Sequence, residues 1–127
     1  MNPTHRDAAI RVLMMPRDTN YHGTIFGGVI LSHIDQAGAV AAVRCGCRQV
    51  VTVAMDKVEF HQPVKVGELV SFYTEVVKRG NTSITIQVCV EAIKRDGGDS
   101  VSVTSALVTY VNVDKDGRKI PLPKKGE

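Results

Sequence analysis

The sequence has no tryptophan, only three phenylalanines and three tyrosines, and a formal charge of only +3. A nucleic-acid-binding surface normally combines a strongly basic stripe with aromatic residues that stack on bases. The sequence has neither feature, so no nucleic-acid partner is expected, although a small anionic ligand is compatible with the charge. The chain has an odd number of cysteines, Cys45, Cys47 and Cys89, and no second Cys or His pair stands at the spacing of a zinc site. We therefore expect reduced, mostly packed thiols and no metal site.

Long apolar runs are also missing. The longest one lies within residues 24–43 and is interrupted at its middle by polar residues that include Asp35, which makes it a poor membrane-spanning segment. Residues 1–7 lack the basic region, apolar segment and small-residue cleavage site of a secretory signal. We therefore expect a cytoplasmic protein with no membrane partner.

The 127 residues suffice for one domain with a hydrophobic core, and no linker or repeat divides them. We predict a single domain over residues 1–127, with a core at about 8–114 and a C-terminal tail at 115–127. Apolar alternation predicts five strands, at 8–15, 50–60, 69–78, 83–94 and 101–113, with a bulge or sharp twist in the second. One helix is predicted from Gly27 to about Arg44, followed by a left-handed Gly46.

This element order indicates an α+β fold with an antiparallel sheet whose strands are mostly joined as hairpins. The helix is apolar on nearly all sides, so one sheet face is not enough to bury it. We expect a curved sheet that wraps around the helix, and a second protomer that covers the remaining flank.

Asp35 lies in the middle of this apolar helix. A carboxylate is rarely buried without a partner or a function, because its removal from water costs several kcal/mol. Asp35 is therefore either a structural residue bonded to a neighbouring group or a catalytic carboxylate. We favour the catalytic interpretation.

Three blocks of sequence resemble the hotdog-fold acyl-CoA thioesterases, in particular the small bacterial acyl-CoA hydrolases related to the cytosolic brain-type acyl-CoA hydrolases. The first block comprises residues 18–20 and 23–28, Leu31, Ile34-Asp35 and Gly38-Ala39. The second is residues 58–64 with Gly67, and the third is residues 80–83. The resemblance covers residues 8–123 and implies a hotdog fold, in which a curved antiparallel sheet of about five strands wraps around one long central helix.

The resemblance also implies a function, the hydrolysis of acyl-CoA to a carboxylic acid and coenzyme A without a further cofactor. It implies that Asp35 acts as general base or nucleophile and that the amides of Gly27 and Gly28 polarise the thioester carbonyl. Some relatives carry Asn or Asp where Thr24 stands, which leaves Thr24 the role of a positioning hydroxyl. One hairpin segment matches a region that lies near coenzyme A in relatives: Asn81, Thr82 and Ser83.

The chemistry of the residues agrees with these roles. Free amides at a helix N-terminus can stabilise an oxyanion, and glycine lets a substrate approach the backbone. Gly28 and Asp35 are seven residues apart, which separates them by about 10 Å along a helix. One thioester carbon must lie about 3 Å from both the attacking group and the oxyanion donors. We therefore expect a site completed by two protomers, in a homodimer that assembles to a tetramer or hexamer.

Other candidates lie close to these residues in the sequence. Ser32 and Gln36 lie on the same side of the helix as Asp35 and are candidates to bond its carboxylate or the attacking water. Gly38 and Ala39 leave room either for an acyl chain or for tight helix packing. In the loop before the helix we expect substrate contacts from three residues: Asn20, His22 and Gly23. The other histidines have structural roles by position, packing for His33 and a strand end for His61.

Two other functions remain as alternatives. A hotdog dehydratase or hydratase acting on acyl thioesters would use a catalytic His with a carboxylate, and no His has that position relative to the helix. A non-catalytic acyl-CoA-binding dimer would gain nothing from a buried charge in its pocket. Thioester hydrolysis is therefore the leading hypothesis.

Overall fold

A computed structural model of the chain describes residues 7–124. Within that range it contains β1 (Ile10–Leu13), α1 (Gly27–Arg44), β2 (Val50–Phe60), β3 (Leu69–Arg79), β4 (Ser83–Ile93) and β5 (Ser100–Asn112). The predicted order is confirmed, and the helix begins and ends where the sequence predicted. The first strand has four residues rather than the predicted eight, because the chain leaves the sheet into a short 3-10 turn at Pro16–Asp18.

The five strands form one antiparallel sheet in the order β1-β3-β4-β5-β2. The strands β3, β4 and β5 are joined as consecutive hairpins, whereas β2 pairs with β5 and forms an edge. The predicted irregularity in β2 is confirmed, because its register with β5 shifts twice and Lys57 has a φ of 53°. Such bulges bend an edge strand. The end of β2 consequently lies beside the start of the helix, where the Phe60 ring adjoins Gly27.

The helix packs on one face of the sheet and contacts β2, β3, β4 and β5. The alternation predicted for β4 is confirmed by a fully buried row: Ile84, Ile86, Val88, Val90 and Ala92. The alternation of β5 gives one row that begins with Val101 and Val103 and a second row of mixed polarity. The residues of β5 that stand opposite the buried row of β4 belong to the mixed row: Thr104, Ala106, Val108 and Tyr110. The Tyr110 side chain therefore contacts the helix from the face of the sheet on which the helix packs.

In the single chain the helix is buried on one side only, as expected for a helix that one sheet face does not cover, and its cover by a second protomer stays a prediction. Its buried side consists of small and aliphatic residues: Ile30, Ile34, Ala37, Gly38, Ala41 and Ala42. Its other side is exposed at Ser32, Gln36, Val43 and Arg44, because one sheet covers only one side of a helix. No helix within residues 7–124 has the length and hydropathy that a membrane span requires.

The C-terminal segment that the sequence predicts as a tail packs on the sheet through residues 119–123. The Leu122 amide donates to the Asn81 carbonyl at 2.9 Å, and Arg79 donates to the Pro123 carbonyl at 2.6 Å. Pro123 also lies against Gly46, whose predicted left-handed conformation is confirmed by a φ of 99°. The segment therefore links the β3–β4 hairpin to the end of the helix. Residues 125–127 of the predicted tail lie outside the described residues.

Candidate active site

The helix begins without a capping side chain. Phe26 occupies the N-cap with extended backbone angles, and the first turn contains no acidic residue. Ser, Thr, Asp or Asn is usual at an N-cap, because a side-chain oxygen then accepts from the first amides. The amides of Phe26 and Val29 donate to the carbonyls of Asp18 and Phe26, at 2.8 and 2.9 Å. Within residues 7–124 no backbone carbonyl accepts from the amides of Gly27 and Gly28, which lie between them. These two amides can therefore bind another acceptor, and the helix dipole favours a negatively charged oxygen there.

The loop before the helix is organised by the side chain of Asn20. Its oxygen accepts from the amides of His22 and Thr24 at 2.8 and 3.3 Å, and its NH₂ group lies 3.0 Å from the Thr24 hydroxyl. Gly23 has a φ of 90°, which favours glycine. His22 is exposed, and its ring lies 3.8 Å from that of Tyr21. Asn20 and Thr24 are thus engaged within the loop, whereas the His22 ring is open to solvent.

A cleft of about 200 Å³ opens beside Gly27. Apolar side chains from the start of the helix and from residues 60–64 form most of its walls. A Cβ built on Gly27 would lie 3.5 Å from the Phe60 ring, and one built on Gly28 would lie 2.5 Å from the Phe26 ring. Both rings are more than half exposed. Two aromatic rings therefore flank the two open amides, an arrangement that suits an apolar acyl group attached to a polar carbonyl.

Asp35 is half-buried, and its Oδ1 accepts a hydrogen bond from the Thr52 hydroxyl at 2.7 Å. Thr52 lies on the edge strand β2 and is not among the partners that the sequence predicts for Asp35. Of the two predicted partners, Ser32 donates instead to the Val29 carbonyl at 2.9 Å, and Gln36 is exposed. No sequence signal identifies Thr52, because a local pattern does not encode how a helix is placed over a sheet.

Gly38 is packed against the sheet. A Cβ built on Gly38 would collide with Tyr110, which is fully buried. Of the two roles predicted for Gly38, the structure therefore supports tight packing rather than room for an acyl chain. Ala39 is half-buried. The Tyr110 hydroxyl donates to the main-chain carbonyl of Asp35 at 2.6 Å. The sequence analysis also missed this contact.

The β3–β4 hairpin lies far from the glycine pair within the chain. The Gly80 amide donates to the Ser83 carbonyl at 2.8 Å, and the carbonyls of Asn81 and Thr82 accept from the amides of Leu122 and Asn112. Through residues 119–123 the hairpin adjoins the C-terminal end of α1. That end is about 25 Å from the first turn in a helix of this length. One protomer therefore does not bring the hairpin candidates to the helix start.

The histidines occupy the structural positions that the sequence predicted. His33 stacks on Phe72 with ring centroids 5.5 Å apart, and its Nδ1 lies 2.8 Å from the Val29 carbonyl. His61 follows β2, donates its amide to the Val103 carbonyl at 2.7 Å and lines the cleft. Within residues 7–124 no histidine is hydrogen-bonded to the Asp35 carboxylate.

None of the three cysteines, all of which lie among the described residues, forms a disulfide, as expected. Burial raises the pKa of the Cys47 thiol, and the neighbouring Cys45 adds to the rise, so Cys47 stays protonated at neutral pH. In the described part of the chain, no group of three or more His, Cys, Asp or Glu side chains is arranged to hold a metal ion.

Comparison with known proteins places this site in context. The sequence model of the thioesterase superfamily matches residues 22–99. The acyl-CoA thioester hydrolase YciA of Salmonella typhimurium is 41% identical over 128 residues, which cover 98% of this chain and 96% of the relative. A hexameric hotdog-fold thioesterase of Campylobacter jejuni is 49% identical, with a TM-score of 0.86 over 91% of this chain and 90% of that one. A mutant of a hexameric broad-specificity acyl-coenzyme A thioesterase is 38% identical, with a TM-score of 0.90 over 96% of this chain and 90% of that one.

Proposed function

The chain belongs to the thioesterase superfamily and is an acyl-CoA thioester hydrolase with the hotdog fold, and we propose that Asp35 is its catalytic carboxylate. We propose further that the amides of Gly27 and Gly28 form its oxyanion site. The observation that carries this assignment is the presence of a half-buried carboxylate and two open amides on one helix. Relatives named acyl-CoA thioester hydrolases match nearly the whole chain and support the substrate class.

The reaction needs an attacking oxygen and stabilisation of the oxyanion. Asp35 removes a proton from a water molecule as the water oxygen attacks the thioester carbon. The carbonyl oxygen becomes negative and binds the glycine amides. The tetrahedral intermediate then collapses, the carbon–sulfur bond breaks, and coenzyme A leaves as a thiolate that takes up the proton. In the covalent alternative, the Asp35 carboxylate attacks first and water cleaves the resulting anhydride.

The spacing of these groups supports a site shared between protomers. Gly27 and Asp35 lie on one helix, about 12 Å apart along its axis, so a single helix does not place both about 3 Å from one carbon. The exposed flank of α1 and the unpaired edge of β2, with Val51 and Val53 exposed, are available for a second copy. We propose that the amides come from one protomer and Asp35 from its partner.

The assembly is proposed to extend beyond a dimer. Several structural relatives are hexameric thioesterases, and the same state is our proposal for this chain. Because the β3–β4 hairpin lies at the far end of the helix, its candidates for binding coenzyme A would then serve a site of another protomer: Asn81, Thr82 and Ser83. The loop candidates Asn20, His22, Gly23 and Thr24, together with Ser32 and Gln36, stay proposals for substrate contact.

No metal or organic cofactor is proposed for this reaction. Amides provide the oxyanion site, and a thiolate leaves without a strong general acid. Coenzyme A enters only as part of the substrate. A cytoplasmic location stays a prediction.

Measurement of thiol release tests the activity. The protein is incubated with acyl-CoAs of increasing chain length, and free coenzyme A is followed with a thiol reagent. We expect saturable turnover with an optimum in chain length. A dehydratase or hydratase would change enoyl-thioester absorbance without releasing thiol and would be inactivated by His61→Asn. A pure binding protein would bind acyl-CoA without turnover, and either result would overturn the proposal.

Mixed assemblies test whether two protomers share the site. We expect protomers with Asp35→Asn and protomers with Gly27→Pro to be inactive alone, because each lacks one half of the chemistry. When the two are co-expressed with different tags, random pairing makes half of the dimers mixed, and each mixed dimer has one intact site. Thiol release should recover to about a quarter of the wild-type rate. Doubly purified mixed assemblies without recovered activity would show that each site lies within one protomer.

A further inference from the structure

Tyr110 is the largest fully buried side chain in the core, and its hydroxyl reaches the helix beside Asp35. It donates to the Asp35 main-chain carbonyl at 2.6 Å. A phenylalanine would fill the same space without a buried polar group, and such a group needs a partner to avoid a large cost. The hydroxyl therefore calls for an explanation beyond packing.

The contact falls on one particular hydrogen bond of the helix. In an α-helix the carbonyl of residue 35 accepts from the amide of residue 39. Burial raises the pKa of Tyr110 far above its ordinary value, and the nearby Asp35 carboxylate adds to the rise. The hydroxyl thus contacts the acceptor end of the bond between residues 35 and 39. A side chain that enters this ladder fixes or bends the helix locally.

Gly38 provides the space for this approach. A Cβ built on Gly38 would collide with the hydroxyl and would lie 2.8 Å from two carbons of the Tyr110 ring. Glycine in a helix interior is less favourable than alanine, so its presence here fits a need for close contact. Gly38 and Tyr110 therefore pack against each other next to Asp35.

We propose that Tyr110 is a positioning residue that fixes the Asp35 carboxylate for attack, by holding its main-chain carbonyl from the buried side of the helix. Thr52, which stands opposite Tyr110 in the pairing of β2 with β5, holds the same residue through its carboxylate. Asp35 is thereby fixed at two points, by hydroxyls from β5 and β2. This proposal rests on the proposed catalytic role of Asp35.

Tyr110→Phe tests the proposal. We expect kcat to fall at least about 10-fold with KM within about 2-fold, because a misdirected carboxylate slows the chemical step while the binding surface is unchanged. Tyr73→Phe is the matched control. Tyr73 lies on β3, two strands away from Tyr110, and its side chain is on the opposite face of the sheet. Its hydroxyl accepts from Arg11 at 3.4 Å. The control should keep its kcat. A fall in kcat matched by an equal rise in KM would instead assign Tyr110 to general packing and overturn the proposal.

A second substitution keeps the test decisive if Tyr110→Phe does not fold. Incorporation of p-aminophenylalanine at position 110 preserves ring size and a donor, but a weaker one. We expect a kcat at least about 2-fold below that of the wild type at unchanged KM, because the weaker donor holds the Asp35 carbonyl less firmly. Wild-type kcat in this variant would overturn the proposal. Retained activity in Asp35→Asn would instead refute the proposed function, so the two failures are distinguishable.

Discussion

Replacement of Asp35 by Asn is expected to lower kcat at least about 100-fold, because an amide neither removes a proton from water nor attacks a thioester. Asn has nearly the same size, and its side-chain oxygen can still accept from Thr52, so the local geometry is kept while the charge is lost. KM should change little, since the carboxylate is proposed to act in the transition state rather than in substrate binding. Initial rates of thiol release over a range of acyl-CoA concentrations measure both constants.

The matched control for this substitution is Asp99→Asn. Asp99 is exposed in the turn between β4 and β5 and has no proposed role in the reaction, so its variant should keep the wild-type rate. Circular dichroism and the elution volume show whether each variant folds and assembles. A kcat of Asp35→Asn within about threefold of wild type would remove Asp35 from the chemistry. It would leave the fold and the family unaffected.

The helix was predictable because its limits are marked by local chemistry. Turn residues precede Gly27, and Gly46 ends the segment in a left-handed conformation that glycine adopts readily. The strand β4 was predictable for a similar reason, since one of its faces is wholly aliphatic or small. In both cases the information lies within a few neighbouring residues.

The partners of Asp35 were not predictable because they come from strands far away in sequence. Thr52 and Tyr110 lie 17 and 75 residues from Asp35. Their positions depend on the order of strands in the sheet, in which β2 pairs with β5 rather than β3. They depend also on two bulges in β2, which shift its register with β5. Nothing in the local pattern of residues 50–60 specifies that pairing.

The burial of the helix was predictable only in part, for a related reason. An apolar sequence indicates that a segment is covered, but not by which molecule. In the single chain Val43 is 54% exposed, and Val51 and Val53 of the edge strand are similarly exposed. These apolar side chains fit the proposed assembly, in which a second copy covers what the sheet leaves open.

Substitution of Gly27 by proline is the second large effect that we expect, and it isolates one N–H group. Proline is well tolerated at the first position of a helix, where its missing N–H breaks no helical hydrogen bond. Phe26 already has φ of −61° and ψ of 131°, the extended conformation that a residue before proline prefers. The loss of one oxyanion donor should lower kcat by about 100- to 1000-fold.

Gly27→Ala provides the matched control, because it adds a side chain at the same place and keeps the amide. A Cβ at this position meets only the Phe60 ring, at an ordinary contact distance of 3.5 Å, so the alanine variant should stay within about fivefold of wild type. Both variants are compared by the rate of thiol release at saturating acyl-CoA. Equal rates for proline and alanine would show that the Gly27 amide does not bind the oxyanion. A loss of rate in the proline variant alone can come only from the absent N–H or from the rigid ring. A wild-type helix signal in circular dichroism, together with an unchanged KM, would leave the absent N–H as the cause.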